Sequence, residues 1–154
     1  MENYKIRAWD KKEKRMCSVV AIWFSLGSII LESGIFVYER KLDEVELMQS
    51  TGLKDKNGTE IYEGDIVEFK YPYDKRSTTL GVIVKSKQKA CFGIQMNETT
   101  EDYELYRVTA EHYLEVVGNI YQNPELGIKP SRNFKLVRPK KVYYHAYIKQ
   151  EENG

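Results

Sequence analysis

The chain predicts a mainly β protein: an N-terminal antiparallel β layer over about residues 1–50, then a small barrel over about 51–128, with one or two short helical turns. Three observations carry this. Short β-branched and aromatic runs alternate with charged or Gly-containing turns along most of the chain. Twelve tyrosines bring the aromatic content to 12%, and aromatic residues favour pleated, half-buried surfaces. Asn57-Gly58 is the strongest short hairpin signal in the sequence.

The elements follow in order. YKIRAWDKKEKRMCSVV has alternating residues on both sides of a charged cluster, Asp10 to Arg15, the pattern of a hairpin with a solvated turn. Strands are expected around Ala21–Phe24, Ile29–Leu31 and Ile35–Tyr38, punctuated by Gly27 and Gly34. Lys41–Ser50 reads either as a short helix started by Asp43 or as a strand pairing Val45 with Leu47. Asn57-Gly58, taken as a two-residue type I′ turn, pairs Lys56 with Thr59 and Leu53 with Tyr62. Gly64-Asp65 is a corner that launches GDIVEF. That run, LGVIVKSKQ and ACFGIQMNE form a meander. A helical turn is expected near Thr109–Tyr113, then EVVGNIY as a final core strand, stopped by Asn123-Pro124. A Gly-Asp corner, an alternating strand, a loop and a second strand opened by Gly81 form the pattern of small SH3-like barrels. Such barrels bind peptides, RNA or DNA, so the pattern specifies architecture more than ligand.

Composition excludes several classes. At 154 residues the chain can bury a sizeable core, and 42% hydrophobic with 31% charged residues is that of a globular domain. Cys17 and Cys91 show neither a metal-site spacing nor a disulfide framework. The uncharged stretch Cys17–Leu31 falls short of the roughly 20 residues a spanning helix needs. It reads better as two buried strands around Gly27-Ser28. The N-terminus has no apolar signal segment, which places the chain in the cytoplasm, off the membrane. The Asn-x-Thr matches at Asn57 and Asn97 then have no glycosylation role.

The near-neutral total charge conceals an asymmetry. Lys129, Arg132, Lys135, Arg138, Lys140, Lys141 and Lys149 supply seven basic side chains, with no acid between them. Of the totals of 24 basic and 23 acidic residues, 17 and 21 lie in residues 1–128, and the two remaining acids are Glu151 and Glu152. The extension 129–154 therefore stands apart as basic and aromatic. With Tyr143, Tyr144 and Tyr147 interleaved among the cations, it suits phosphate neutralisation and base stacking, a candidate nucleic-acid interface. The alternative is a further strand whose lysines guard an edge against aggregation.

No catalytic or metal site is legible. The phosphate-loop, dinucleotide and nucleophile-elbow motifs are absent. Asp55-Lys56-Asn57-Gly58 resembles part of a calcium loop, but with Gly58 as the invariant glycine the loop would start at Leu53 and end at Gly64, neither a ligand. His112 and His145 lack sequence-adjacent partners. An enzymatic reading would need an acidic cleft containing Glu63, Asp65 or His112. The expectation is a noncatalytic protein without cofactor.

Three blocks, Lys5–Met16 (KIRAWDKKEKRM), Leu47–Val67 (LMQSTGLKDKNGTEIYEGDIV) and Glu115–Leu126 (EVVGNIYQNPEL), closely resemble the YopX-like family of phage and prophage proteins, in the family's order. The resemblance implies a phage-encoded, mainly β protein acting in the host cytoplasm, and no catalytic residues to carry over. Asn57, Gly58, Gly64 and Asp65 lie inside the matching blocks and read as structural turns. The extension beyond Lys129 lies outside them. The open partners are a second copy of the chain, a host or phage protein, and nucleic acid.

Overall fold

In the computed structural model, residues 5–70, 78–86, 91–96, 102–130 and 136–137 are described. They form two compact units, Met1–Ser50 and Thr51–Gly154. The protein is mainly β, with two largely antiparallel six-stranded sheets and little helix.

The first unit is a meander: β1 (Ile6–Asp10), β2 (Arg15–Trp23), β3 (Ser28–Ser33), β4 (Phe36–Lys41) and the start of β5 (Val45–Lys54). The strand order is β4-β3-β2-β1-β5. The Asp10–Arg15 cluster turns the expected hairpin, with Asp10 opposite Arg15. The uncharged stretch splits into two strands joined by a 3-10 turn, Phe24–Leu26. Lys41–Ser50 contains both alternatives in succession, a 3-10 turn at Leu42–Glu44 and then β5. Ala8, Cys17, Ile29, Leu31 and Val45 form the core of this sheet, flanked by Val19, Ile22, Tyr38 and Leu42.

In the second unit β6 (Glu60–Tyr62) pairs with the end of β5. Then follow β7 (Asp65–Lys70), β8 (Thr78–Lys85), β9 (Phe92–Met96), β10 (Asp102–Glu104), α1 (Arg107–Tyr113), β11 (Leu114–Asn119) and β12 (Leu136–Val137). Their order is β11-β7-β8-β9-β10-β12. Among the described residues, β10 and β12 pair in parallel, while the β11–β7, β7–β8, β8–β9 and β9–β10 pairs are antiparallel. Ile66, Val82 and Val84 bury one face of this sheet, while Val67, Phe69, Ile83 and Ile94 bury the other with Tyr113 and Leu114. Burial on both faces explains why Ile66-Val67 and Val82-Ile83-Val84 are continuous apolar runs rather than strict alternations. Phe69 stacks on Tyr113 at 5.8 Å between ring centroids.

Two expectations need correction, the closed barrel and the Asn57-Gly58 turn, and one strand is refined. No closed barrel forms among the described residues: β11 and β12 terminate the second row, and closure requires the two end strands to pair. EVVGNIY supplies most of β11, a strand that brings Leu114 and Val116 to the core, but with a departure from regular pairing. β11 lies at the end of its row, and a bulge between Val116 and Gly118 leaves Val117 exposed. The Asn57-Gly58 hairpin is not type I′. Gly58 alone has positive φ, at 83°, whereas Asn57 does not. Gly58 N donates to Asp55 O at 3.0 Å and Asp55 N to Thr59 O at 2.8 Å. The loop is therefore Lys56-Asn57-Gly58, a three-residue turn in which Gly takes the left-handed position. Its closing pair is Asp55 with Thr59, not Lys56 with Thr59.

The bulge in β11 also sets a packing limit. A Cβ on Gly118 would lie 2.4 Å from Asn123 Oδ1, the atom that accepts the Asn119 N–H at 3.1 Å. Replacing Gly118 by alanine is expected to cost about 1–3 kcal/mol through this clash. The thermal midpoint should drop by several degrees, and an unchanged melting curve would show that the Asn123 turn yields freely.

Candidate functional site

The polar cluster of the first unit starts from a turn. Asp10 ends β1, and its Oδ1 accepts the N–H groups of Lys12 (3.0 Å) and Glu13 (3.3 Å). That is the local geometry for which Asp is favoured at turn starts. The side chain is fully buried. It meets β4: Tyr38 Oη donates to Asp10 Oδ2 at 2.6 Å, and Arg40 Nε lies 3.3 Å from each carboxylate oxygen. Cys17 Sγ stands 3.3 Å from the same phenol oxygen. The Arg40 guanidinium lies over the Tyr38 ring, 4.7 Å from its centroid.

This cluster ties β4 back to β1. β1 and β4 are three strand steps apart in the row, roughly 14 Å in a flat sheet at about 4.8 Å per step. An Asp–Arg contact over three steps requires the sheet to curl over its own core. Burial opposes the Asp10 charge, but hydrogen bonds from Tyr38, the Glu13 and Lys12 amides and Arg40 outweigh it and hold the carboxyl below its usual range. Burial and the bond to Asp10 push the Tyr38 phenol well above its ordinary value.

Beside the cluster runs an open groove of about 400 Å³, lined by Glu13, Arg15, Phe36, Val37, Tyr38 and Arg40. Its charges are loosely paired: Glu13 lies 3.9 Å from Arg15 and 3.6 Å from Arg40. Phe36 and Val37 are 61% and 59% exposed. The groove thus presents an aromatic ring, a phenol, two guanidiniums and the Glu13 carboxylate beside an apolar rim, a mixed lining that can take an amphipathic side chain.

The groove lies along the outer strand of the row. Ser33 and Phe36 face each other across the two-residue Gly34–Ile35 turn, so they form the hydrogen-bonded closing pair of the hairpin. Backbone groups of Phe36, Tyr38 and Arg40 therefore point to β3, and those of Val37, Glu39 and Lys41 point outward. Two contacts agree with this phase: Lys41 N donates to Glu44 Oε1 at 2.8 Å, and Glu39 O accepts from Arg40 Nη1 at 3.3 Å. The last half of the edge is thereby capped. Val37 has no strand or cap on its outer side among the described residues.

The residues expected from sequence fall elsewhere. Gly64 and Asp65 form a buried corner in the second unit: Gly64 N donates to Ile83 O, Ile120 N to Gly64 O, and Asp65 Oδ2 accepts the Tyr62 N–H at 2.7 Å. Asn57 and Gly58 sit on an exposed loop held by Asp55. Asp55 is buried, and it accepts the amides of Asn57 and Thr59 on Oδ1 and of Val116 on Oδ2, at 2.9, 2.9 and 2.8 Å. His112 is exposed on α1. Lys129 is exposed, whereas Arg132, Lys135, Arg138, Lys140, Lys141, Tyr143, Tyr144, Tyr147 and Lys149 lie outside the described residues. Asp10, Tyr38 and Arg40 were not legible as a site. The only sequence signal was an Asp at the junction of an alternating strand and a charged turn.

Comparison with known proteins gives a consistent picture. The family model described as YopX protein matches residues 5–126. Among solved structures, protein EF1440 from Enterococcus faecalis is 27% identical, with a TM-score of 0.58, over 82% of this chain and 99% of that one. Protein yopX from Bacillus subtilis shares the fold at 24% identity and a TM-score of 0.52, covering 82% of this chain and 98% of its own. No curated protein matches at a significant level. Among the described residues no helix is long and apolar enough to cross a membrane.

Proposed function

The chain belongs to the YopX protein family, and on that premise we propose that it is a noncatalytic phage or prophage accessory protein, a binding and assembly module of the bacterial cytoplasm. It takes other polypeptides along the outer edge of its first sheet. The observation behind this reading is β4: an outer strand with uncapped backbone at Val37, exposed Phe36 and Val37, and an adjoining groove. Such an edge recruits an extended segment through main-chain hydrogen bonds, while neighbouring pockets select its side chains. The coil fastened by Asp10 and Arg40 gives that edge a fixed shape.

The test compares affinity capture from phage-carrying cells by the wild-type chain and by a Phe36→Lys, Val37→Lys variant, with and without nuclease. Polypeptides captured by the wild type and lost with the variant support the reading, provided that they survive nuclease. Equal capture by both proteins overturns it. Capture that disappears with nuclease favours nucleic acid bound through residues 129–154, a reading motivated by their seven cations. Deleting that segment should then abolish binding, and affinity should fall steeply with salt.

A further inference from the structure

Resting on the edge-binding reading, we propose that one occupant of β4 is β4 of a second copy of this chain, paired antiparallel about a two-fold axis through Tyr38. The argument is one of register. A two-fold pairing must match outward-facing residues with outward-facing residues, here Val37, Glu39 and Lys41, which leaves a short list of centres.

Centring on Val37 overlaps only Phe36–Tyr38 of each strand, because Ile35 belongs to the turn. Centring on Glu39 sets two carboxylates opposite each other, a destabilising arrangement. It also calls on the Lys41 N–H already held by Glu44. Centring on Arg40 opposes two guanidiniums and again needs Lys41. Centring on Tyr38 overlaps Phe36 through Arg40 and faces no like charges. It uses only Val37 and Glu39, leaving the Lys41–Glu44 cap intact.

That register also fills the groove. Directly opposed residues in an antiparallel pair project to the same face. Phe36 of the second copy therefore faces Arg40 on the face shared with Tyr38, and the relation is reciprocal. The guanidinium that already lies on the Tyr38 ring receives a second aromatic face from the other copy. Val37 faces Glu39 on the opposite side, covering an exposed valine with the aliphatic part of the carboxylate side chain. The Glu39 carbonyl keeps a second lone pair for the new bond beside the one used by Arg40. A single strand pair is a small interface, so the dimer is weak and reversible.

Sedimentation of the full chain from about 5 to about 500 micromolar is expected to show a reversible monomer–dimer equilibrium. Over that range hydrogen exchange at the Val37 and Glu39 amides should slow, while the Lys41 amide stays unchanged. Val37→Pro removes the outward N–H without touching the β3–β4 ladder, as an edge strand permits. Loss of that donor from both copies should weaken the dimer about thirtyfold. Phe36→Ser, which empties the groove and leaves the backbone intact, should also weaken it. A strict monomer throughout, a dimer insensitive to both substitutions, or Val37 exchange independent of concentration each overturns the pairing. If the chain is monomeric yet still captures a nuclease-resistant partner through β4, self-pairing falls and the edge-binding function stands.

Discussion

Replacing Asp10 by alanine should destabilise the first unit by about 3 kcal/mol, the low end of the cost of breaking a buried ion pair. The low end applies because Arg40 keeps 19% of its side chain exposed and can rehydrate, whereas Asp10 is fully buried. The substitution removes the acceptor of the Lys12 and Glu13 amides, of the Tyr38 hydroxyl and of Arg40 together. The coil loses its fastening, and the groove should lose its shape with it. The chain's two tryptophans, Trp9 and Trp23, both lie in this unit, so urea unfolding followed by tryptophan fluorescence reports on it selectively. A midpoint equal to that of the wild type would show that the cluster does not hold the sheet.

The same residue gives the effect a pH dependence of defined sign. The carboxyl's folded pKa lies below its ordinary value, so the ionised form favours the fold. That contribution is complete above the unfolded pKa, about 4, and is lost as pH falls through the folded pKa. Asp10→Asn keeps an oxygen acceptor but cannot ionise. Its stability deficit relative to wild type should be full at neutral pH and shrink below about pH 4. A deficit that stays constant into acid would remove the charge from the explanation.

Asp55→Ala should produce the second large effect, about 3 kcal/mol, in the other unit. Three amide bonds to the buried Asp55 carboxylate are lost, at about 1 kcal/mol each net, and the Val116 N–H is left without its acceptor. Hydrogen exchange at Val116 is the local readout, and its protection should fall while the tryptophan signal is unchanged. Asp55→Asn, which keeps the Oδ1 acceptor for Asn57 and Thr59, should recover about half. Asn57→Ala removes only the exposed contact to Glu115 at 3.2 Å and should cost under about 0.5 kcal/mol. If Asn57→Ala proved the costlier of the two, the turn and not the buried carboxylate would organise this hairpin.

These contrasts show what could be read from residue order. Most strands, the family, the helical turn near Thr109–Tyr113 and the turn at the start of Lys41–Ser50 were legible because each depends on local spacing, whereas the 3-10 turns at Phe24–Leu26 and Pro124–Leu126 and the strand Asp102–Glu104 were not. The hairpin at Asn57-Gly58 was legible as a reversal but not in its register. Turn type depends on which residue takes positive φ, and Asp55 decided that by capping the loop amides. β11 was legible as a core strand, but its place at the end of the row and the bulge that turns Val117 outward were not, because apolar residues record neither.

Sequence alone determined a mainly β, YopX-family chain with a basic, aromatic extension, since composition and short-range pattern suffice for those. Tertiary structure decided everything about the candidate site. Asp10, Cys17, Tyr38 and Arg40 are scattered over three strands and meet only because the sheet coils, a long-range property that no local window encodes. It also decided which edge stays open, because the capping of Lys41 by Glu44 and of Glu39 by Arg40 is visible only once β4 is known to be the outer strand.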